Sequence, residues 1–182
     1  MRGTRGVAAV AMAGILAGCG AAMQTQGAAQ PRAFNQPIYD ASGQAVGQLT
    51  LAQSGRDSVR VTVEATRLPA GTHGTHLHTT GRCDPPGFTT AGGHLNPAAR
   101  QHGMRNPRGP HLGDLPNLVV GADGTGRMEA TVAGSLNPGT APLFDADGTA
   151  LVVHAAADDM VTDPSGNSGA RIACTVVAAP TT

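Results

Sequence analysis

The residues of this chain that could do chemistry are its histidines, and they are unevenly placed. Of seven histidines, three fall in "GTHGTHLHTTGRC" (Gly71 to Cys83), at His73, His76 and His78. On a strand, residues two apart project from one face, so His76 and His78 would point together while Leu77 points away. That spacing offers two nitrogens to one metal ion. An isolated H-x-H pair is as readily two surface histidines, but the others shift the balance: His94 in "GGHLNP", His102 in "RQHG", His111 in "HLGDLPN", and His154 in "VVHAAADD". Asp114 follows His111 by three residues. Imidazole nitrogen suits copper and zinc, and one carboxylate oxygen completes a tetrahedral zinc site. Calcium or magnesium would ask for oxygen ligands instead, and no Ser or Cys nucleophile is set beside these rings. His73 precedes the pair by an odd offset, which places it on the opposite face or in the turn.

The elements that must carry these residues are short strands. Charged residues make up 13% of the 182-residue chain and aromatics 2%, with no Trp, so a core must come from Val, Leu, Ile and Ala. The abundance of Gly (26) and Pro (13) favours many turns over long helices. In "SVRVTVEAT", Val59, Val61 and Val63 alternate with Arg60, Thr62 and Glu64, the pattern of a half-buried strand. "GRMEATVAG" repeats it with Met128, Ala130 and Val132, and "QAVGQLTLAQ" more weakly. "TALVVHAA" and "ARIACTVVA" read as more deeply buried strands, with "DASGQ", "GADGTGR" and "DADGT" as turns. The pattern predicts an all-β antiparallel sandwich or barrel. Thr79 to Pro116 and Asp158 to Gly169 do not read as strands. Loops that long in a compact domain are commonly functional, and the first carries three of the histidines.

The N-terminus reads as an export signal. Arg2 and Arg5 precede an apolar run from Val7 to Leu16, too short to span a bilayer, which needs about 20 residues. Leu16-Ala17-Gly18-Cys19 resembles the lipobox of bacterial lipoproteins, in which the cysteine becomes the lipidated first residue. The expected organisation is a signal peptide over residues 1–18, a flexible tether over 19–36, and one domain over 37–182. Gly20 after the lipid cysteine favours the outer membrane, so the expected location is the bacterial periplasm on a lipid anchor at Cys19. Assigning Cys19 to lipid leaves Cys83 and Cys174, an even pair in an exported chain. A bridge between them would close a loop of about 90 residues and contribute roughly 4 to 5 kcal/mol in the chain-entropy model. Twelve basic residues, all Arg, balance twelve acids, so bulk charge suggests no nucleic acid partner.

Across roughly Pro37 to Val177 the motifs "HGTHLH", "GGHLNP", "HLGDLPN", "VVHAAADD" and "GNSGARIAC" resemble, in order and near spacing, those of the copper/zinc superoxide dismutases. The resemblance implies a Greek-key antiparallel β-sandwich, or flattened barrel, with long metal-binding and active-site loops. It implies copper held by His76, His78, His94 and His154, and zinc held by His94, His102, His111 and Asp114. His94 would bridge the two, with one copper and one zinc per chain. Asp158, rather than its neighbour Asp159, would orient one histidine of each site. Arg171 would hold the anionic substrate, and a Cys83–Cys174 disulfide is implied as well. The implied reaction converts superoxide to dioxygen and hydrogen peroxide by Cu(II)/Cu(I) cycling, with His94 and Arg171 as the catalytic residues. A homodimer is within the family's range. His73 would be structural, bonding nearby backbone. Thr75 and Thr175 depart from the usual aromatic and glycine, which bears on packing more than ligation. Arg100, Arg105 and Arg108 are the candidates for steering the anion beside Arg171. The rival is a copper-storing or copper-delivering domain, which would use the same histidines and need no Arg171.

Overall fold

The computed structural model describes residues 33–137, 140 and 142–178, together with residues 1 and 3. The expected signal peptide, apart from residues 1 and 3, and the expected lipid site at Cys19 therefore lie outside the described residues. Nine strands and one short 3-10 turn appear among those described: β1 (Ala33–Asp40), β2 (Ala45–Gly55), β3 (Ser58–Ala65), β4 (Gly71–His73), β5 (Thr75–His78), β6 (Leu118–Val120), β7 (Gly126–Ala133), β8 (Thr149–His154) and β9 (Arg171–Ala178), with the 3-10 turn at Thr89–Ala91. All pairings are antiparallel, in the order β4-β6-β7-β3-β2-β1-β9-β8-β5. β1 to β3 form a meander, but β3 takes β7 as its other neighbour, the crossover of a Greek key. The two ends of the sheet, β4 and β5, are consecutive in the chain and separated only by Gly74, which nearly closes the barrel.

The alternation in β3 does what its sequence predicts. Val59, Val61 and Val63 have no exposure and face a core that includes Leu49, Leu77, Leu118 and Leu151. β8 is buried along its whole length because Leu151 and Val153 enter the main core while Ala150 and Val152 pack on the other face with Phe88, Ala91 and Cys174. The first strand differs from expectation: residues 33–36, read as tether, pair with β2 from Ala33↔Ala52 onward. Pro37 is tolerated there because this part of β1 has a ladder on one side only, β9 joining at Tyr39 and Asp40. The Asp40 carboxylate closes the β1–β2 turn by accepting from the Ser42 and Gln44 amides at 2.8 and 3.0 Å.

The two stretches that do not read as strands are irregular apart from the turn at Thr89–Ala91. The long one folds back along the free edge of β5. Leu77 donates to Gly113 O at 2.9 Å and accepts from Leu95 N–H at 2.8 Å, and isolated bridges join His76 to Asp114 and His78 to His94. A sheet edge that would otherwise be exposed is thus covered, and three segments bearing histidines are brought together. Cys83 and Cys174 are disulfide-bonded with Cα atoms 5.8 Å apart, tying the start of this loop to β9.

Candidate metal centre

His76 and His78 project from β5 on the face away from Leu77, which enters the main core. His154 ends β8 at a β-bulge, its register partner being Arg171 at the start of β9. His94 reaches the same place from the long loop. One ligand atom from each of His76, His78, His94 and His154 lies within 4.8 Å of the other three, and all four residues are buried. Their hydrogen bonds say which nitrogen is free. His76 Nε2 donates to Asp158 Oδ2 at 2.8 Å, His78 Nδ1 to Gly92 O at 2.9 Å, and His154 Nδ1 to Gly169 O at 3.2 Å. The opposite nitrogens, His76 Nδ1, His78 Nε2 and His154 Nε2, are buried without a partner, as is His94 Nε2. Buried polar atoms are normally satisfied, so four converging lone pairs fit a cation that accepts imidazole. Burial drives three of these rings, His78, His94 and His154, towards the neutral state that binds metal. It takes His78 down to about 2, aided by His94, and His154 down to about 3, aided by His76.

His94 turns its other nitrogen to a second cluster. Asp114 Oδ1 lies 3.0 Å from His94 Nδ1, 3.0 Å from His102 Nδ1 and 3.3 Å from His111 Nδ1. His94 Nδ1 and His111 Nδ1 are themselves 3.4 Å apart. Tetrahedral bonds of about 2.0–2.1 Å give ligand-to-ligand edges of roughly 3.3 Å, so this spacing fits zinc. His102 links the two carboxylates, its Nδ1 3.0 Å from Asp114 Oδ1 and its Nε2 3.0 Å from Asp158 Oδ1, so donation from Nε2 to Asp158 turns the Nδ1 lone pair towards the cluster. Asp114 Oδ2 is occupied by the Gly103 and His111 amides at 2.8 and 2.9 Å, which leaves Oδ1 to face the cluster. Burial raises the Asp114 pKa, but the His94 and Gly103 hydrogen bonds outweigh it and hold the carboxyl at about 2. His76 also brings a nitrogen within 4.8 Å of ligand atoms of His94, His102 and Asp114. His111 is the better fourth member, because the free nitrogen of His76 belongs to the first cluster.

Asp158 links the clusters, one oxygen on His76 and the other on His102. Burial opposes its ionisation, and the two imidazole hydrogen bonds overcome that, setting its pKa at about 2. Asp159 is spent elsewhere, accepting from the Val161 and Thr162 amides. Gly166 sits at φ +63° against this carboxylate, and a Cβ there would also stand 2.7 Å from His102 Nε2. Gly74 allows a similarly close approach, since a Cβ would meet Ser168 Cβ at 2.7 Å.

His73 stands apart, with Nδ1 2.8 Å from His154 O and Nε2 2.9 Å from Pro69 O, so neither nitrogen is left for a metal. The Arg171 guanidinium is gripped by Phe88 O at 2.7 Å and Gly92 O at 2.6 Å, and Gly92 O also holds His78. A pocket of about 470 Å³ opens onto His78, His94 and His154 and is lined by Arg171 and Arg100. Of the other loop arginines, Arg105 is committed to Asp159 O at 2.8 Å, and Arg108 is exposed and does not line the pocket. Sequence reasoning missed Asn117 and Asp163. Asn117 ends the quoted motif "HLGDLPN" and pairs with the Asp158 backbone, whereas Asp163, 3.7 Å from His111 Nε2, carries no signal in the sequence.

Fold and site together define a class: a Greek-key β-barrel with two adjoining histidine-rich clusters that share one imidazole beneath an arginine-lined pocket. The chain belongs to the copper/zinc superoxide dismutase family, whose pattern it matches over residues 45–177. It is 40% identical to the superoxide dismutase [Cu-Zn] 1 of Aquifex aeolicus, over 82% of this chain and 89% of that one. It is 39% identical to the superoxide dismutase [Cu-Zn] of Caulobacter vibrioides, over 74% and 79%. Among solved structures, a SOD-like protein from Bacillus subtilis aligns with TM-score 0.71 at 38% identity, covering 79% of this chain and 97% of that one. The Cu/Zn superoxide dismutase from Brucella abortus aligns with TM-score 0.62 at 28% identity, covering 80% and 99%.

Proposed function

We propose that this protein is a superoxide dismutase of the bacterial envelope. It would hold one copper at His76, His78, His94 and His154, and one zinc at His94, His102, His111 and Asp114. Bound copper would supply one-electron cycling between Cu(II) and Cu(I), and zinc a fixed charge that orders the loop. The rest of the chemistry falls to the chain. His94 presents one nitrogen to each cluster, so a proton at its Nε2 and a metal there exclude one another. That makes His94 the group placed to carry a proton to the reduced product. Arg171, held by two carbonyls at the pocket floor, offers its remaining N–H groups and its charge to a small anion. Burial lowers its pKa; a guanidinium nonetheless keeps its charge in proteins. The supporting observation is the set of four unpartnered imidazole nitrogens beside that arginine.

The test is superoxide consumption by the metal-loaded protein against Arg171→Ala. Loss of one side of an anion site gives an expected 10- to 100-fold fall in kcat/KM with both metals retained. Activity no better than free copper ions in the unaltered protein would refute the enzyme and leave a copper carrier. We place the mature protein in the periplasm on a lipid at Cys19. Inhibiting lipoprotein signal peptidase and weighing the N-terminal peptide tests that placement. A homodimer is proposed on the family's range, and sedimentation measures it.

A further inference from the structure

Asp158 orients one histidine of each cluster, and its side chain can do so only if its backbone is held still. It lies in an irregular segment, outside any strand ladder. The restraint comes from Asn117, just before β6, on the opposite side of the metal centre in the sequence. Asn117 Nδ2 donates to Asp158 O at 2.9 Å, and Asp158 N–H donates to Asn117 Oδ1 at 2.9 Å. This reciprocal pair reproduces, with one amide side chain, the two-bond exchange between residues facing each other in an antiparallel sheet. Both bonds are part-buried. Three further contacts bear on the same residue: the Met160 amide donates to Oδ1 at 2.6 Å, Gly166 leaves room for the carboxylate, and the imidazoles of His76 and His102 take its oxygens.

We infer that Asn117 is a positioning residue that sets copper and zinc affinity together by fixing the Asp158 backbone, touching neither metal-facing cluster itself. The inference rests on the metal assignment proposed above. Alanine at 117 leaves Asp158 N–H and C=O without their Asn117 partner and loosens the backbone that aims the carboxylate. The bonds that orient both imidazoles then weaken, and disturbing such a partner typically costs about tenfold or more in metal affinity. A loss that reaches both metals ties the effect to the carboxylate that the two clusters share.

The experiment is competitive chelator titration of Zn(II) and Cu(II) on the full mature domain carrying Asn117→Ala, Asp158→Asn, or both. Val61→Ala, in the core, serves as a control that is destabilised without touching the site. We expect Asn117→Ala to weaken both metals about tenfold and Val61→Ala to lower Tm while leaving affinities unchanged. Adding Asn117→Ala to Asp158→Asn should cost no further copper affinity. Asn117→Asp keeps the acceptor for Asp158 N–H and should recover part of the loss; it also stands in if the alanine variant does not fold. Affinities within twofold of the parent, loss of one metal only, or fully additive losses in the double variant would overturn the inference. If the unaltered protein took up neither metal, the assignment beneath it would fall instead.

Discussion

Replacing Asp158 by Asn exchanges one carboxylate oxygen for an NH2 group and should strike the proposed copper cluster harder than the proposed zinc cluster. The carboxylate accepts three hydrogen bonds: from His76 Nε2 at 2.8 Å on Oδ2, and from His102 Nε2 at 3.0 Å and the Met160 amide at 2.6 Å on Oδ1. Asparagine has one oxygen to accept with and one NH2 group that only donates. Its lower-energy orientation keeps oxygen at the Oδ1 position, where two donors converge, and turns NH2 towards His76. Two N–H groups then face each other in a fully buried site. His76 escapes only by moving its proton to Nδ1, the nitrogen that faces the copper cluster, or by rotating. Loss of such an orienting partner typically costs 10- to 100-fold in metal affinity, or about 1.4 to 2.7 kcal/mol. Chelator competition should show copper weakened by at least tenfold, and zinc weakened by less. Copper affinity within twofold of the parent, or zinc falling while copper holds, would refute the assigned tautomers.

The metal-free protein should be sensitive to acid well above the carboxylate range. His78, His94 and His154 have pKa values pushed by burial to about 2, 4 and 3, from 6.5 in the open chain. The unfolded chain therefore takes up protons below about pH 6.5 that the fold refuses, and stability falls as pH falls, by up to about 1.4 kcal/mol per pH unit per histidine. Urea midpoints at pH 7, 6 and 5 measure this, and a flat profile would contradict it. Removing the disulfide with Cys83→Ser and Cys174→Ser frees a separation of 91 residues and should lower stability by about 4 to 5 kcal/mol. It should also loosen the Phe88 and Gly92 carbonyls that hold Arg171, so activity should drop even at temperatures where the domain stays folded. Gly166→Ala should lower stability by about 2 to 3 kcal/mol, since it adds backbone strain at φ +63° and crowding against Asp158. It should weaken both metals; unchanged metal content after dialysis would argue against this packing.

Much was legible in the residues alone because it is local. The alternation of Val59, Val61 and Val63 against polar neighbours needs only the two-residue period of a strand, and the same period puts His76 and His78 on one face. Recurring motifs in order pointed to the family without any coordinates. Residues 33–36, Ala-Phe-Asn-Gln ahead of Pro37, carry no apolar period that marks a strand; pairing with β2 supplies what their composition lacks. No local rule could say which nitrogen of each histidine is free. That choice depends on the Gly92, Gly169 and Asp158 partners, 14, 15 and 82 residues from the rings they hold. The sequence determined the candidate ligand types and put His76, His78 and His154 on strands. Tertiary structure decided which ring nitrogens are left without a partner, and the clamp of Asn117 on Asp158, because a hydrogen bond is set by position in space and distant segments meet only when the barrel closes.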